Sequence, residues 1–232
     1  MSSRRLMLEA IVKGRFSALL VSIALLFLVS PLIPGDQGFV DKTFGVFILV
    51  VLASCIRAVS RTRRFFIFMI LFTLLNVSVG GFEIVREMEP QAFLSVVLVL
   101  RAAYFVVVFF SIMRYVLDSS TVTGDKICGA ISAYMIMGIA WGFVYSLFYH
   151  LDPTCIRVPE ELVSPGVNSA WAFYFSFTTL TTLGFGDLVP LKPAAQSYAI
   201  MEAACGQVFL AVIIARLIAL HITHERLEKQ HD

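Results

Sequence analysis

The sequence predicts an all-α membrane protein: six transmembrane helices, with a short re-entrant half-helix and a glycine-bearing strand between the fifth and the sixth. Three observations carry this. Of the 232 residues, 59% are hydrophobic and the mean hydropathy is +0.86, against an apolar share of roughly 45–50% in soluble domains. Charges fall mainly between apolar runs of about 20 residues, the length a helix needs to cross the hydrocarbon core. The run Thr181-Thr182-Leu183-Gly184-Phe185-Gly186-Asp187 then interrupts the apolar pattern near the C-terminus. Two glycines beside a threonine break a helix, and non-helical backbone is tolerated at membrane depth only where it is buried in protein or lines a watery cavity.

The first helix is expected over 16–33. Arg4, Arg5, Lys13 and Arg15 precede it as in a secretory signal, but no small-residue cleavage site follows, so it is read as retained. The second, 43–60, is the weakest, because Arg57 leaves only Thr43 to Ile56 free of charge. The third spans 65–82, behind the topology-setting cluster Arg61, Arg63 and Arg64, which could also meet anionic lipid. The fourth, 92–114, holds one interior charge, Arg101. The fifth, 127–148, carries Gly138-Ile139-Ala140-Trp141-Gly142, a small-residue spacing that lets helices approach closely. Residues 169–181 are too few to cross and run straight into the glycines, and 197–220 form the last crossing. The polar stretch Asp118 to Lys126 divides a four-helix unit, 1–126, from a pore unit, 127–222, with 223–232 as a tail too short for a ligand-sensing domain.

Lys and Arg placement orients the chain. With the N-terminus inside, the outer side receives only Lys42, Arg86, Arg157 and Lys192, Arg101 stays within the bilayer, and the other basic residues gather inside. A multi-pass cell-membrane protein with both termini cytoplasmic is expected, with the glycine run hanging from the outer side. Enzymatic and nucleic-acid roles find no support. His150, His221, His224 and His231 lack metal-ligand spacing, and no phosphate loop, hydrolase elbow or cofactor motif is present. Cys55, Cys128 and Cys205 lie in apolar runs, whereas Cys155 falls in a candidate exposed loop and could pair between subunits.

The glycine run is best explained as a potassium selectivity filter, in which rings of backbone carbonyls replace the ion's hydration shell. Residues from about Ile127 to Ile222 resemble the pore domain of the tetrameric pore-loop potassium channels, particularly bacterial ones with six membrane helices per chain. Their Thr-Val-Gly-Tyr-Gly-Asp appears here as Thr182-Leu183-Gly184-Phe185-Gly186-Asp187, followed by Leu188-Val189-Pro190. The ligands are backbone carbonyls, so neither departure removes one. Phe185 cannot make the tyrosine's hydroxyl bond to the aromatics behind the filter, which bears on filter rigidity. A single copy of the motif makes each chain one quarter of a homotetramer embedded in lipid.

The resemblance implies roles for the neighbours. Thr182, Leu183, Gly184 and Phe185 would bind dehydrated potassium, with Gly186 at the outer mouth; glycine supplies the unusual dihedrals that turn successive carbonyls one way. Asp187 would bond to Tyr174 on the half-helix. Trp171, Phe173, Phe175 and Phe177 would hold the filter from behind, and Asn168 or Ser169 would cap that helix. Its partially negative C-terminus would favour a cation in the cavity. Gly206 matches the family's hinge glycine, although close packing is the other reading, and Gln207, Leu210 and Ile214 fall on the cavity-facing stripe. Glu202 is expected behind the filter, hydrogen-bonded or protonated, because a carboxylate in a membrane helix faces protein or water.

The fourth helix argues against voltage gating, since a sensor needs several charges at regular spacing and Arg101 stands alone. Arg101 is expected to pair with Glu83, Glu87 or Glu89 or to reach a watery crevice. The short connector from Tyr115 to Lys126 predicts a four-helix unit packed beside its own pore unit. The expected activity is passive potassium conduction with weak or no voltage dependence, potassium being the permeant ion and not a cofactor. A poorly selective cation channel and a non-conducting membrane subunit are the alternatives. A secondary transporter would show paired helix interruptions in two repeats, and one appears here.

Overall fold

A computed structural model describes residues 16–29, 48, 50–56, 58, 63–85, 91–118, 123–163 and 170–231. Its helices are α1 (Ser17–Val29), α2 (Arg63–Val85), α3 (Gln91–Val116), α4 (Gly124–Leu151), α5 (Ala170–Leu180) and α6 (Pro193–His231), with residues 50–56 also helical between α1 and α2. Three stretches are long and apolar enough to cross a membrane: Ala92–Val116, Gly124–Leu151 and Pro193–Arg216. The shorter apolar segment Ser17–Leu28 and α2 lie where the first and third crossings are expected. Half of the expected second crossing, and Asn168 and Ser169, lie outside the described residues.

The core forms where apolar stripes at helical spacing meet. Leu19, Ile23 and Leu26 of α1 share it with Leu52 and Cys55, with Phe105, Val108 and Ile112 of α3, and with Ile136, Ile139 and Phe143 of α4. Tyr104 of α3 donates to the Leu52 carbonyl at 3.0 Å and accepts from Thr73 of α2 at 3.2 Å, so one hydroxyl ties three segments together. The other side of α3 exposes Val96, Val99, Val106 and Phe110, as a lipid-facing helix does.

α3 packs on α4 within the subunit. Phe105 and Phe143 stack with centroids 5.7 Å apart. Arg101 is 5% exposed and lies over the Phe143 ring, 5.8 Å from its centroid, a position in which a guanidinium is attracted by the ring face. The side chains of Glu83, Glu87 and Glu89 lie outside the described residues. Arg216 of α6 donates to the Leu117 carbonyl just past α3. Thr123 caps α4 by accepting from the Lys126 amide at 3.3 Å, and Asp125 accepts from the Phe16 amide and the Tyr115 hydroxyl at 3.0 and 2.9 Å.

A small β ribbon departs from the all-α expectation. Strand β1 (Ile156–Arg157) pairs antiparallel with β2 (Val189–Pro190), joining the chain leaving α4 to the chain entering α6. Pro190 tolerates this because two-residue strands are all edge. Asp152 follows α4, accepts from the Thr154 amide and hydroxyl at 3.1 and 2.7 Å, and forms an ion pair with Lys192. The ribbon also corrects the expectation for Cys155. Its side chain is 6% exposed, packed with Ile156, Leu188 and Trp171, so the loop turns its thiol inward, out of reach of a cysteine on another subunit. Cys205, expected within an apolar run, is instead exposed on the isolated subunit.

Candidate functional site

The site is built around α5, an eleven-residue helix held by its rings. Trp171 meets Tyr149 at 4.9 Å between centroids, Phe173 meets Phe143 at 5.0 Å, Phe175 meets Tyr145 at 4.7 Å and Phe177 meets Phe27 at 4.6 Å, all edge-on. Two stripes at i, i+4 spacing thus bury one side of α5 against α4 and α1. The glycines of α4 make this possible. A Cβ at Gly138 would stand 2.7 Å from Phe177 Cζ, and one at Gly142 would stand 2.5 Å from Phe173 Cδ1. The small-residue spacing read as packing is a pair of seats for α5.

At the end of α5 the chain folds back on its own last turn. The Thr182 amide donates to the Thr179 carbonyl at 2.9 Å, and the Leu183 and Gly184 amides donate to the Thr178 carbonyl at 2.8 and 3.1 Å. These bonds satisfy the orphan carbonyls of a helix C-terminus. They also turn three successive N–H groups toward α5.

The dihedrals alternate in sign. Thr182, Gly184 and Gly186 have φ of +58°, +52° and +84°, and among the described residues no other non-glycine has positive φ. A strand of uniform φ points successive carbonyls to opposite sides, whereas alternating left- and right-handed residues point them to one side. Gly184 and Gly186 behave as their lack of a Cβ allows. The positive φ of Thr182 is what sequence reasoning did not anticipate, because a β-branched side chain there is a genuine outlier. Residues 181–187 are all exposed on the single subunit, Leu183 at 57% and Phe185 at 66%.

The C-terminal end of the strand is fixed by Asp187, which accepts from the Tyr174 hydroxyl at 2.8 Å and from the Leu188 amide at 3.0 Å. Tyr174 and Phe185 lie parallel, with rings 6.3 Å apart and 6° between planes. The structure therefore brings together the pair expected from the family pattern, and Phe185 offers a stacking face where a hydroxyl was absent.

Behind α5, Glu202 of α6 is 0% exposed. Its Oε2 accepts from the Tyr145 hydroxyl at 2.6 Å, and its Oε1 lies 2.5 Å from Ser176 Oγ, itself 2.7 Å from the Gly138 carbonyl oxygen. Sequence reasoning placed Glu202 here but missed Ser176 and Tyr145, whose only signal was a hydroxyl in an otherwise apolar or aromatic stretch. It also missed Tyr134, whose hydroxyl donates to the Leu180 carbonyl at 3.2 Å. Gly206 sits where a Cβ would collide with the Leu180 carbonyl oxygen, so close approach to the end of α5 is the constraint seen at this position. Gln207, Leu210 and Ile214 are exposed along α6. No group of His, Cys, Asp and Glu suited to a metal occurs among the described residues.

Residues 133–221 match the family model described as ion channel; α5, the glycine strand and most of α4 and α6 fall within that match. The chain is also similar to the inward rectifier potassium channel Kirbac3.1 of Paramagnetospirillum magnetotacticum, 42% identical over 48 residues. That stretch is 21% of this chain and 16% of the relative, so the likeness spans about a sixth of that protein's length. No solved structure matches the chain significantly.

Proposed function

We propose that the chain is one subunit of a homotetrameric, potassium-selective channel that conducts passively and responds weakly or not at all to voltage. The observation that carries this reading is the strand 182–186. Its dihedrals alternate in sign, its amides bond back to α5, and it stands exposed on a single subunit. Four such strands around an axis would present rings of carbonyls, each ring able to replace part of an ion's hydration shell. Thr182, Leu183, Gly184 and Phe185 would supply the potassium sites and Gly186 the mouth. Asp187, Tyr174 and Glu202 would support the filter, while Gly206, Gln207, Leu210 and Ile214 would line the cavity wall and hinge. Residues 1–126 would form a four-helix unit and 127–222 the pore unit, in a six-crossing, two-domain plan with cytoplasmic termini. The similarity to a potassium channel supports the choice of ion.

Purified protein in liposomes tests this by barium-blockable potassium flux and by reversal potentials in mixed potassium and sodium. Sodium permeating comparably would replace the reading with a poorly selective cation channel, the alternative favoured by Leu183 and Phe185. No flux under any lipid, pH or tension condition would leave a non-conducting subunit.

A further inference from the structure

Counting protons around Glu202 leads to a specific chemical state. Three oxygen–oxygen contacts of 2.5–2.7 Å form one buried chain: Tyr145 to Glu202, Glu202 to Ser176, and Ser176 to the Gly138 carbonyl. Contacts this short each need a hydrogen between the oxygens. The Gly138 carbonyl can only accept. The Ser176 hydroxyl has one hydrogen and so serves that carbonyl or Glu202, not both. The Tyr145 hydroxyl supplies one hydrogen, to Oε2. An ionised Glu202 therefore leaves two hydrogens for three contacts, and one pair of buried oxygens faces bare. A protonated Glu202 donates from Oε1 to Ser176, which donates onward to Gly138, while Tyr145 donates to Oε2, and the chain closes.

We infer that Glu202 is a proton-carrying carboxylic acid in the working protein, a neutral positioning residue that ties α4, α5 and α6 into one block behind the strand 182–186. The cations of the packed elements stand far from Glu202 along the chain or are paired: Lys126 begins α4, Arg216 lies fourteen residues beyond Glu202 along α6, and Lys192, just before α6, is paired with Asp152. The hydroxyls that face the site, Tyr145 and Ser176, donate one hydrogen each and carry no charge. A neutral acid avoids the large penalty of an unpaired buried carboxylate. It also keeps a fixed negative charge from competing with the carbonyls for a cation in transit. That last consequence rests on the channel reading; the protonation does not.

Infrared difference spectra of wild type against Glu202→Gln, recorded at neutral pH, test the state directly. A protonated-carboxyl C=O stretch lost in the variant is expected. Glu202→Gln, which keeps an acceptor oxygen and places an NH2 donor where the acid's O–H stood, without charge, is expected to melt near wild type and to hold potassium flux within about twofold, whereas Glu202→Ala loses about tenfold in flux. A carboxylate signature at Glu202, or a Gln variant as impaired as Ala, overturns the inference. Spectra and melting do not require conduction, so a protein that passes no potassium would sink the channel reading and leave this one standing.

Discussion

Tyr174 and Gly206 show how single residues constrain the two ends of the site, one at Asp187 and the other at the end of α5. The Tyr174 hydroxyl bonds the Asp187 carboxylate at 2.8 Å, and Tyr174→Phe keeps the ring that stacks on Phe185 while deleting that bond. The pair is exposed on the subunit, so the loss falls at the low end for a charged acceptor, about 1.5 kcal/mol. A lowered melting temperature of the assembled protein in potassium is the expected reading, and an unchanged melt would show that the bond is incidental. At the end of α5, Gly206→Ala drives a methyl into the Leu180 carbonyl oxygen. Backbone cannot rotate aside as a side chain does, so overpacking of about 1–3 kcal/mol is expected, with a melt to match. If Gly206 were a hinge alone, alanine would alter gating and leave the melt untouched. At this scale the sequence was readable where chemistry is local. Glycines 184 and 186 announce positive φ by composition, but Thr182 at +58° does not, because only the bonds to Thr178 and Thr179 force it there. Glu202 announces a buried partner, yet Tyr145 and Ser176 stand 57 and 26 residues away in sequence, and no periodicity links them.

Among the helices, α4 carries the most consequence, because α5 sits in its glycine seats. Gly142→Ala presses a methyl against the Phe173 ring, which is buried and has nowhere to swing. A destabilisation of about 1–3 kcal/mol is expected, and Phe173→Leu in the same chain should recover part of it. The double-mutant cycle reads the coupling, and strict additivity of the two single changes would reject the seat. The apolar lengths of α3, α4 and α6 were legible because helices bury stripes and span lipid by length. The β1–β2 ribbon was not, since two-residue strands leave no pattern, and the inward turn of Cys155 follows from that ribbon. α3 is the helix that would have to sense voltage. Each charge moved across the membrane is worth about 2.3 kcal/mol per 100 mV, and Arg101 is held beneath Phe143 in the core. Arg101→Gln is expected to lower stability while leaving conductance between −100 and +100 mV unchanged in shape, voltages chosen to move about that energy per charge. A flattened conductance–voltage curve in the variant would instead make Arg101 a gating charge.

Across the whole subunit, the loops after α4 and before α6 form a frame beside the strand. The ribbon and the Asp152–Lys192 ion pair connect the end of α4 with the start of α6. Hydrogen bonds from Lys192 and Thr154 hold the Asp152 carboxyl down to about 2, below the usual carboxylate range near 3.9. For a carboxyl depressed on folding, the stabilisation is fully present above the unfolded value and disappears as pH falls through the folded one. The frame is therefore expected to hold at neutral pH and to loosen between about pH 4 and pH 2. A titration of Asp152 followed by NMR should move back toward pH 4 in Lys192→Ala. No movement would mean that Thr154 alone sets the value.

The alternation of handedness along residues 182–186 has a further consequence. Ordinary strands carry a right-handed twist that comes from φ values of one sign, and they present unpaired amides along an edge that invites a second strand. Here the signs alternate and the amides of Thr182, Leu183 and Gly184 are consumed by α5. Such a ribbon neither coils nor recruits. Several copies could stand side by side without zipping into a sheet, as the proposed ring of carbonyls requires.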